Sequence, residues 1–122
     1  MADKNFRIYP QGLYDAIAEV SMLNVPIYIT GNGVPDKEDL VREIFLRRSL
    51  YALSEAIKDG YDVRGYFYWS LMDSFEWNEG YEAKFGLFEV DFLTQERKLR
   101  SGAKAYSDLI EKWRLSTANR ER

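Results

Sequence analysis

The chain has no cysteine and no histidine. Without thiols there are no disulfides and no thiolate metal site. Without an imidazole, the triads and zinc sites that need one are excluded within this chain. No apolar run approaches the ~20 residues needed to span a bilayer. The opening Met1-Ala2-Asp3-Lys4-Asn5 is polar and has no signal-peptide apolar stretch, which sets the expectation of a cytoplasmic protein away from membranes. Neither sign of charge dominates: 17 basic and 20 acidic residues leave a net charge of −3, no electrostatic footprint for nucleic acid. There is no internal repeat and no low-complexity tract. What is present is material for a core, with 46% hydrophobic and 16% aromatic residues. The 122 residues suffice for one modest domain and are too few for two of typical size.

The hydrophobic pattern alternates between helical and extended periods. Leu13, Ala16, Ile17, Val20 and Leu23 recur at helical spacing after Pro10 and Gly12, predicting a helix over about 11–23. Pro26-Ile27-Tyr28-Ile29-Thr30 reads as a short buried strand stopped by Gly31-Asn32-Gly33. Asp36 reads as an N-cap, with Asp39 three residues on as a weak capping box. The helix it opens runs to about Asp59 on a stripe of Leu46, Leu50, Leu53 and Ile57, with Gly60 as its stop. Val63 to Leu71 predicts a second apolar strand, Met72 to Lys84 a polar acidic loop, and Phe85 to Phe92 extended structure. A last helix carries Ala103, Tyr106, Leu109, Ile110 and Trp113 on one face, and 115–122 reads as a polar, frayed tail. This order is the grammar of a parallel α/β unit. Two parallel strands alone leave unpaired edges and a bare face, on which Tyr28, Tyr66, Phe67, Tyr68 and Trp69 are expected.

Several segments match one family. P-I-Y-I-T-G-N-G at Pro26 to Gly33 resembles P-[IL]-Y-[IV]-T-E-N-G of glycoside hydrolase family 1, and F-R-I-Y-P-Q-G-L at Phe6 to Leu13 resembles its W-x-I-x-P-x-G-L. D-G-Y-D-V-R-G-Y-F-Y-W-S-L-M-D-S-F-E-W at Asp59 to Trp77 follows D-G-V-x-V-x-G-Y-F-x-W-S-L-x-D-N-F-E-W almost throughout. G-Y-E-A-K-F-G-L at Gly80 to Leu87 is similar to G-Y-x-x-R-F-G-L, with Lys84 for Arg. Val90-Asp91-Phe92, Arg97 and Ser101 complete the pattern, so the resemblance covers Phe6 to about Trp113. Several matches in the right order are far more specific than one short motif.

The resemblance implies an α/β fold that is part of a (β/α)8 TIM barrel: roughly strands 7 and 8 with helices 6 to 8, over 1–114. Such barrels carry their active sites at the C-terminal ends of the strands. It further implies that the nucleophile position is occupied by Gly31, which has no side chain to attack an anomeric carbon, so no catalytic residue is expected here. By the same resemblance Glu76 grips two hydroxyls of the non-reducing sugar, Trp77 donates to another, Trp69 stacks under the ring, and Phe85 lies towards the aglycone. A carboxylate and indole faces suit those tasks. Without the resemblance, Trp69, Tyr66 and Phe67 read as core packing and Glu76 as a solvated loop carboxylate. Asp73, Glu76, Glu79 and Glu82 would offer oxygen ligands to calcium, but no EF-hand spacing is present, and neither metal nor cofactor is expected.

Retaining glycosidases need two carboxyl groups about 5–5.5 Å apart. One would stand at Gly31, and the family's acid/base Glu belongs to a segment outside these residues. The expectation is therefore a truncated β-glycosidase-like chain, inactive alone, with a vestigial sugar subsite. Alternatives are one chain of a split β-glycosidase completed by a partner carrying strands 1–6, or a non-catalytic, self-associating module. The partners expected are further copies or a complementary barrel segment, with a weakly bound β-glycoside as ligand. Glucosides and galactosides share these contacts and are not distinguished.

Overall fold

A computed structural model of the chain describes residues 7–118. Phe6, the polar opening, and the last part of the expected tail at 119–122 lie outside the described residues. Helix α1 spans Pro10–Val20, with proline at the first helical position, where no N–H is required. It tightens into a 3-10 turn at Ser21–Leu23 and ends at Asn24, whose φ of 52° is left-handed. Strand β1 is Ile27–Asn32. It runs through Gly31 and Asn32 instead of stopping at them. Helix α2 is Arg42–Lys58, closed by Gly60 at φ +99°. Strand β2 is Val63–Tyr68, shorter than the expected Val63–Leu71, and Trp69 lies one residue beyond its end.

Strands β1 and β2 pair in parallel through Ile27↔Val63, Tyr28↔Gly65, Ile29↔Tyr66 and Asn32↔Tyr68. The register shifts between Ile29 and Asn32, so three steps on β1 oppose two on β2, and Gly31 sits in the irregular stretch. Such irregularities re-aim side chains beside functional sites. Beyond β2, Phe88–Val90 forms β3 and Arg97–Leu99 forms β4, an antiparallel pair. Of the extended segment expected at Phe85 to Phe92, only β3 is strand, and β4 had no period-2 signal in its sequence R-K-L. Helix α3 runs over Ser101–Ala118, carrying helix into the first residues of the expected tail.

The three helices cover one face of the two-stranded sheet. Ile17 of α1, Ile27 of β1, and Leu53 and Ala56 of α2 form one buried group. Val34, Phe45, Leu46, Tyr68, Leu87 and Ala103 form the other. Strand alternation decides which aromatics are bare. Tyr68 is buried and Tyr66 partly buried against the helices, whereas Tyr28, Phe67 and Trp69 remain exposed. The expectation of five bare aromatics on one face is thus corrected to three. The stripe predicted on α3 is also only partly buried. Ala103 is buried, but Ile110 and Trp113 stand at 38% and 68% exposure, because the narrow sheet leaves the outer turns of α3 without a surface to cover. An apolar groove of about 720 Å³ opens there, lined by Leu50, Ile57, Leu109 and Trp113 among others.

The helix starts are fastened by long-range carboxylates. Asp36 caps α2 from a distance, its Oδ1 accepting from the N–H of Leu40 (3.1 Å) and its Oδ2 from Val41 and Arg42 (2.8 Å each). Asp39 forms no capping box with Asp36. Its Oδ1 accepts from Arg42 Nη1 at 2.6 Å, and its Oδ2 from the N–H of Gly102 at 2.7 Å. It therefore caps α3, sixty-three residues away. Arg42 is fully buried, and its Nη2 also donates to the carbonyls of Asp36 and Lys84.

At the other end of α2, the Tyr14 hydroxyl donates to Asp59 Oδ2 at 2.5 Å. That bond, with desolvation and the Asp59 charge, pushes the phenol from 10.0 up to about 12. The folded value lies above the unfolded one, so the bond's contribution to stability is intact below pH 10 and fades as pH rises through about 12. In Asp59→Asn, the Tyr14 ring resonances followed by NMR should titrate close to 10.0. An unchanged titration would show that this bond is not the cause.

Candidate functional site

Parallel pairing brings the C-terminal ends of β1 and β2 to one end of the sheet. There the Asn32 carbonyl accepts from the Trp69 N–H at 3.0 Å, and the Tyr66 hydroxyl donates to Asn32 Oδ1 at 2.8 Å. Burial first, then the neighbouring hydroxyls of Tyr106 and Tyr68, holds the Tyr66 phenol well above its ordinary range, so it stays a donor. This Asn32–Tyr66 contact was missed by sequence reasoning, although Asn32 directly follows the nucleophile position. The Trp69–Ser70 peptide is cis.

The two glycines of T-G-N-G differ. A Cβ built on Gly33 would lie 1.7 Å from the Trp69 carbonyl oxygen, so only glycine allows the two backbones to approach this closely. A Cβ on Gly31 meets nothing within 4 Å, and Gly31 is exposed and lacks the positive φ that would bar a side chain. Gly33→Ala is therefore expected to cost about 1–3 kcal/mol by overpacking, while Gly31→Ala stays within about 0.5 kcal/mol. Urea unfolding at one fixed protein concentration checks this. Equal costs at both positions would contradict the geometry.

After Trp69 the chain pairs with the segment before β3: Leu87 N–H donates to the Ser70 carbonyl and Phe88 N–H to Leu71, both at 2.9 Å. Asp73 closes this neck. Its carboxylate accepts from Arg100 Nη1 and Nη2 at 2.8 and 2.9 Å, and from the N–H groups of Gly86 (3.0 Å) and Val90 (3.3 Å). Both partners are buried. Asp73 thus leaves the acidic group in which the sequence placed it with Glu76, Glu79 and Glu82. Among the described residues no set of three or more His, Cys, Asp or Glu is placed to hold a metal ion.

The loop held by this neck carries the remaining expected site residues. Phe75 and Tyr81 meet edge to face at 5.5 Å, Tyr81 tilts over Phe92 at 4.5 Å, and the Lys84 ammonium sits 5.0 Å from the Phe92 ring centre. Glu76 is half-buried. Its N–H donates to the Gly80 carbonyl at 2.7 Å, and its Oε1 accepts from Ser74 Oγ at 2.9 Å. Trp77 opens a 3-10 turn, Trp77–Glu79, at φ 50° and is 84% exposed. Phe85 is half-buried, one residue before Gly86 of the neck. The structure therefore joins Asn32 and Gly33 to Trp69 through backbone contact, leaves Gly31 beside them in open space, and holds Glu76 and Trp77 together on the clamped loop.

Two adjacent parallel strands flanked by helices, with glycine, indoles and a carboxylate at their C-terminal ends, define part of a parallel α/β barrel. The pattern of Glycosyl hydrolase family 1 matches residues 1–114, and the chain belongs to that family. It is 41% identical to the β-galactosidase of Pyrococcus woesei over 80% of this chain and 19% of that protein. It is 45% identical to a 6-phospho-β-galactosidase of Staphylococcus aureus over 89% of this chain and 26% of that one. Among solved structures, the β-glycosidase from Pyrococcus horikoshii superposes with a TM-score of 0.83 at 45% identity, covering 85% of this chain and 25% of that one. The hyperthermophilic β-glucosidase from Pyrococcus furiosus gives 0.86 at 38%, covering 91% and 24%. The chain spans about a quarter of these relatives, and its fold is a partial barrel without closure. Among the described residues no helix is long and apolar enough to cross a membrane.

Proposed function

We propose that this chain carries the sugar-gripping portion of a β-glycosidase subsite without its catalytic pair. The observation that carries the reading is the clamped loop. It carries the half-buried Glu76, bonded to Ser74, and the exposed Trp77 on a fixed neck that follows β2, past whose end Trp69 stands about half exposed. A carboxylate accepts two sugar hydroxyls at once, and an indole face covers the apolar side of the ring. Gly31 contributes space in place of a nucleophile. The ligand is a neutral β-glycoside. Glu76, Glu79 and Glu82 outnumber Lys84, whose ammonium is held over Phe92, so a phosphate dianion on the sugar would meet net negative charge.

Saturation-transfer NMR with methyl β-glucoside and methyl β-galactoside tests this. Weak binding, with Kd in the millimolar range that about −4 kcal/mol implies, is expected for both and lost in Glu76→Ala and Trp69→Ala. The corresponding sugar 6-phosphates should bind more weakly than the neutral sugars. Binding that is indifferent to both substitutions would refute the reading. Association of the chain, with itself or with a complementary segment, belongs to the same proposal, since Tyr28, Phe67 and Trp69 lie bare beside two unpaired strand edges.

A further inference from the structure

Arg42 and Arg100 are the buried arginines among the described residues, and both donate to peptide carbonyls of one short stretch. Arg100 Nη1 donates to the Gly86 carbonyl at 2.8 Å, and Arg42 Nη2 to the Lys84 carbonyl at 2.8 Å. Phe85 lies between the two held carbonyls. The loop of Glu76 and Trp77 is therefore fastened twice: at its neck by Asp73 and Arg100, and at its exit by Arg42.

The second fastening reaches the other strand. The Lys84 carbonyl also accepts from the Asp36 N–H at 3.0 Å, so both of its lone pairs are used. Asp36 stands in the segment that leaves β1 after Gly33, and Arg42 Nη2 donates to its carbonyl as well, at 2.8 Å. One nitrogen thus ties the exit of the loop to the exit of β1. The other arm, Nη1, is held by Asp39 at 2.6 Å. A planar guanidinium fork serves these three acceptors in fixed directions, whereas a lysine ammonium is a single point charge.

The helix starts do not need the guanidinium. The Asp36 carboxylate caps α2 through backbone N–H groups, and Asp39 Oδ2 caps α3 through the Gly102 N–H. What the Arg42 side chain adds is a charged donor on the Lys84 carbonyl, a stronger bond than the neutral Asp36 N–H left there without it. We propose, on the reading of this loop as sugar-gripping, that Arg42 is a positioning residue of the subsite. It fixes the loop carrying Glu76 and Trp77 against the exit of β1 and does not touch the sugar. Held at both ends, the loop loses little freedom when a glycoside binds, and weak contacts then suffice.

The test is hydrogen exchange of Arg42→Lys beside the parent chain, read without sugar, followed by saturation-transfer NMR with methyl β-glucoside. The amides of Glu76, Glu79, Gly80 and Glu82, all bonded within the loop, should exchange at least ~10-fold faster in the variant, while amides in the middle of α2 change by less than ~3-fold. Glycoside binding seen with the parent should be lost. Acceleration shared equally by the loop and α2 would mean that Arg42 only holds the fold, and would overturn the assignment. So would an unchanged loop in the folded variant. If Arg42→Lys does not fold, the parent chain in low urea gives the answer. There the Asp36 and Gly86 amides, one at each fastening, should open together and before the α2 amides. Opening of the two at different urea dependence, or only with the whole chain, would overturn the assignment. A loop that loosens selectively in a chain whose parent binds no glycoside would sink the sugar reading and leave the clamp intact. A parent that binds glycoside, with Arg42→Lys binding it equally, would do the reverse.

Discussion

The purified 122-residue chain is expected to release no p-nitrophenol from aryl β-glucosides or β-galactosides above the buffer rate. Retaining hydrolysis needs a nucleophile and an acid/base carboxyl about 5–5.5 Å apart. Gly31 offers no group for the first, and the resemblance puts the second on a segment outside these residues. Acid/base catalysis alone contributes roughly 10²–10⁴, and the covalent route is lost as well. Turnover that co-purifies with the chain and disappears in Glu76→Ala would overturn this. Because a side chain at position 31 meets open space, Gly31→Glu should fold as the parent does. It should nonetheless remain inactive alone. With a six-strand segment supplied in trans, the Gly31→Glu chain should exceed the Gly31 chain by at least ~10² in rate, since only then do both carboxyls exist.

The second large effect is expected on stability. Asp73→Ala should cost about 3–5 kcal/mol, because it strands the buried Arg100 guanidinium without its counter-charge. It also leaves the Gly86 and Val90 N–H groups without their acceptor. The loss is large against the roughly 5–15 kcal/mol that holds an ordinary domain folded. Since Asp73 and Arg100 close the neck of the loop bearing Glu76 and Trp77, sugar binding should fall with stability. Glu79→Gln, an exposed loop acid, should change stability by no more than about 0.5 kcal/mol. Denaturant unfolding at fixed protein concentration measures both. An Asp73→Ala variant within about 1 kcal/mol of the parent would mean that the neck is held by other contacts.

The sequence by itself determined whatever depends on neighbours along the chain. Helical spacing at Leu13, Ile17 and Val20, the β-branched run at Ile27 to Thr30, and Gly60 as a helix stop all follow from local periodicity and backbone preference. Ordered motif matches likewise carried the family and the empty nucleophile position at Gly31. Tertiary structure decided what depends on distant partners. Asp39 is three residues from Asp36 in sequence, yet it caps a helix beginning at Ser101, because folding brings the starts of α2 and α3 together. Asp73 reads as one of four loop acids until Arg100, twenty-seven residues away, draws it inside. Tyr66 and Tyr68 separate from Phe67 and Trp69 only once β2 has one face against helices. Trp113 fits a buried stripe by spacing, but whether a stripe is covered depends on the width of the sheet beneath it, and two strands do not reach that far. Periodicity states which face of an element is apolar, and only the packed neighbours decide whether anything covers it.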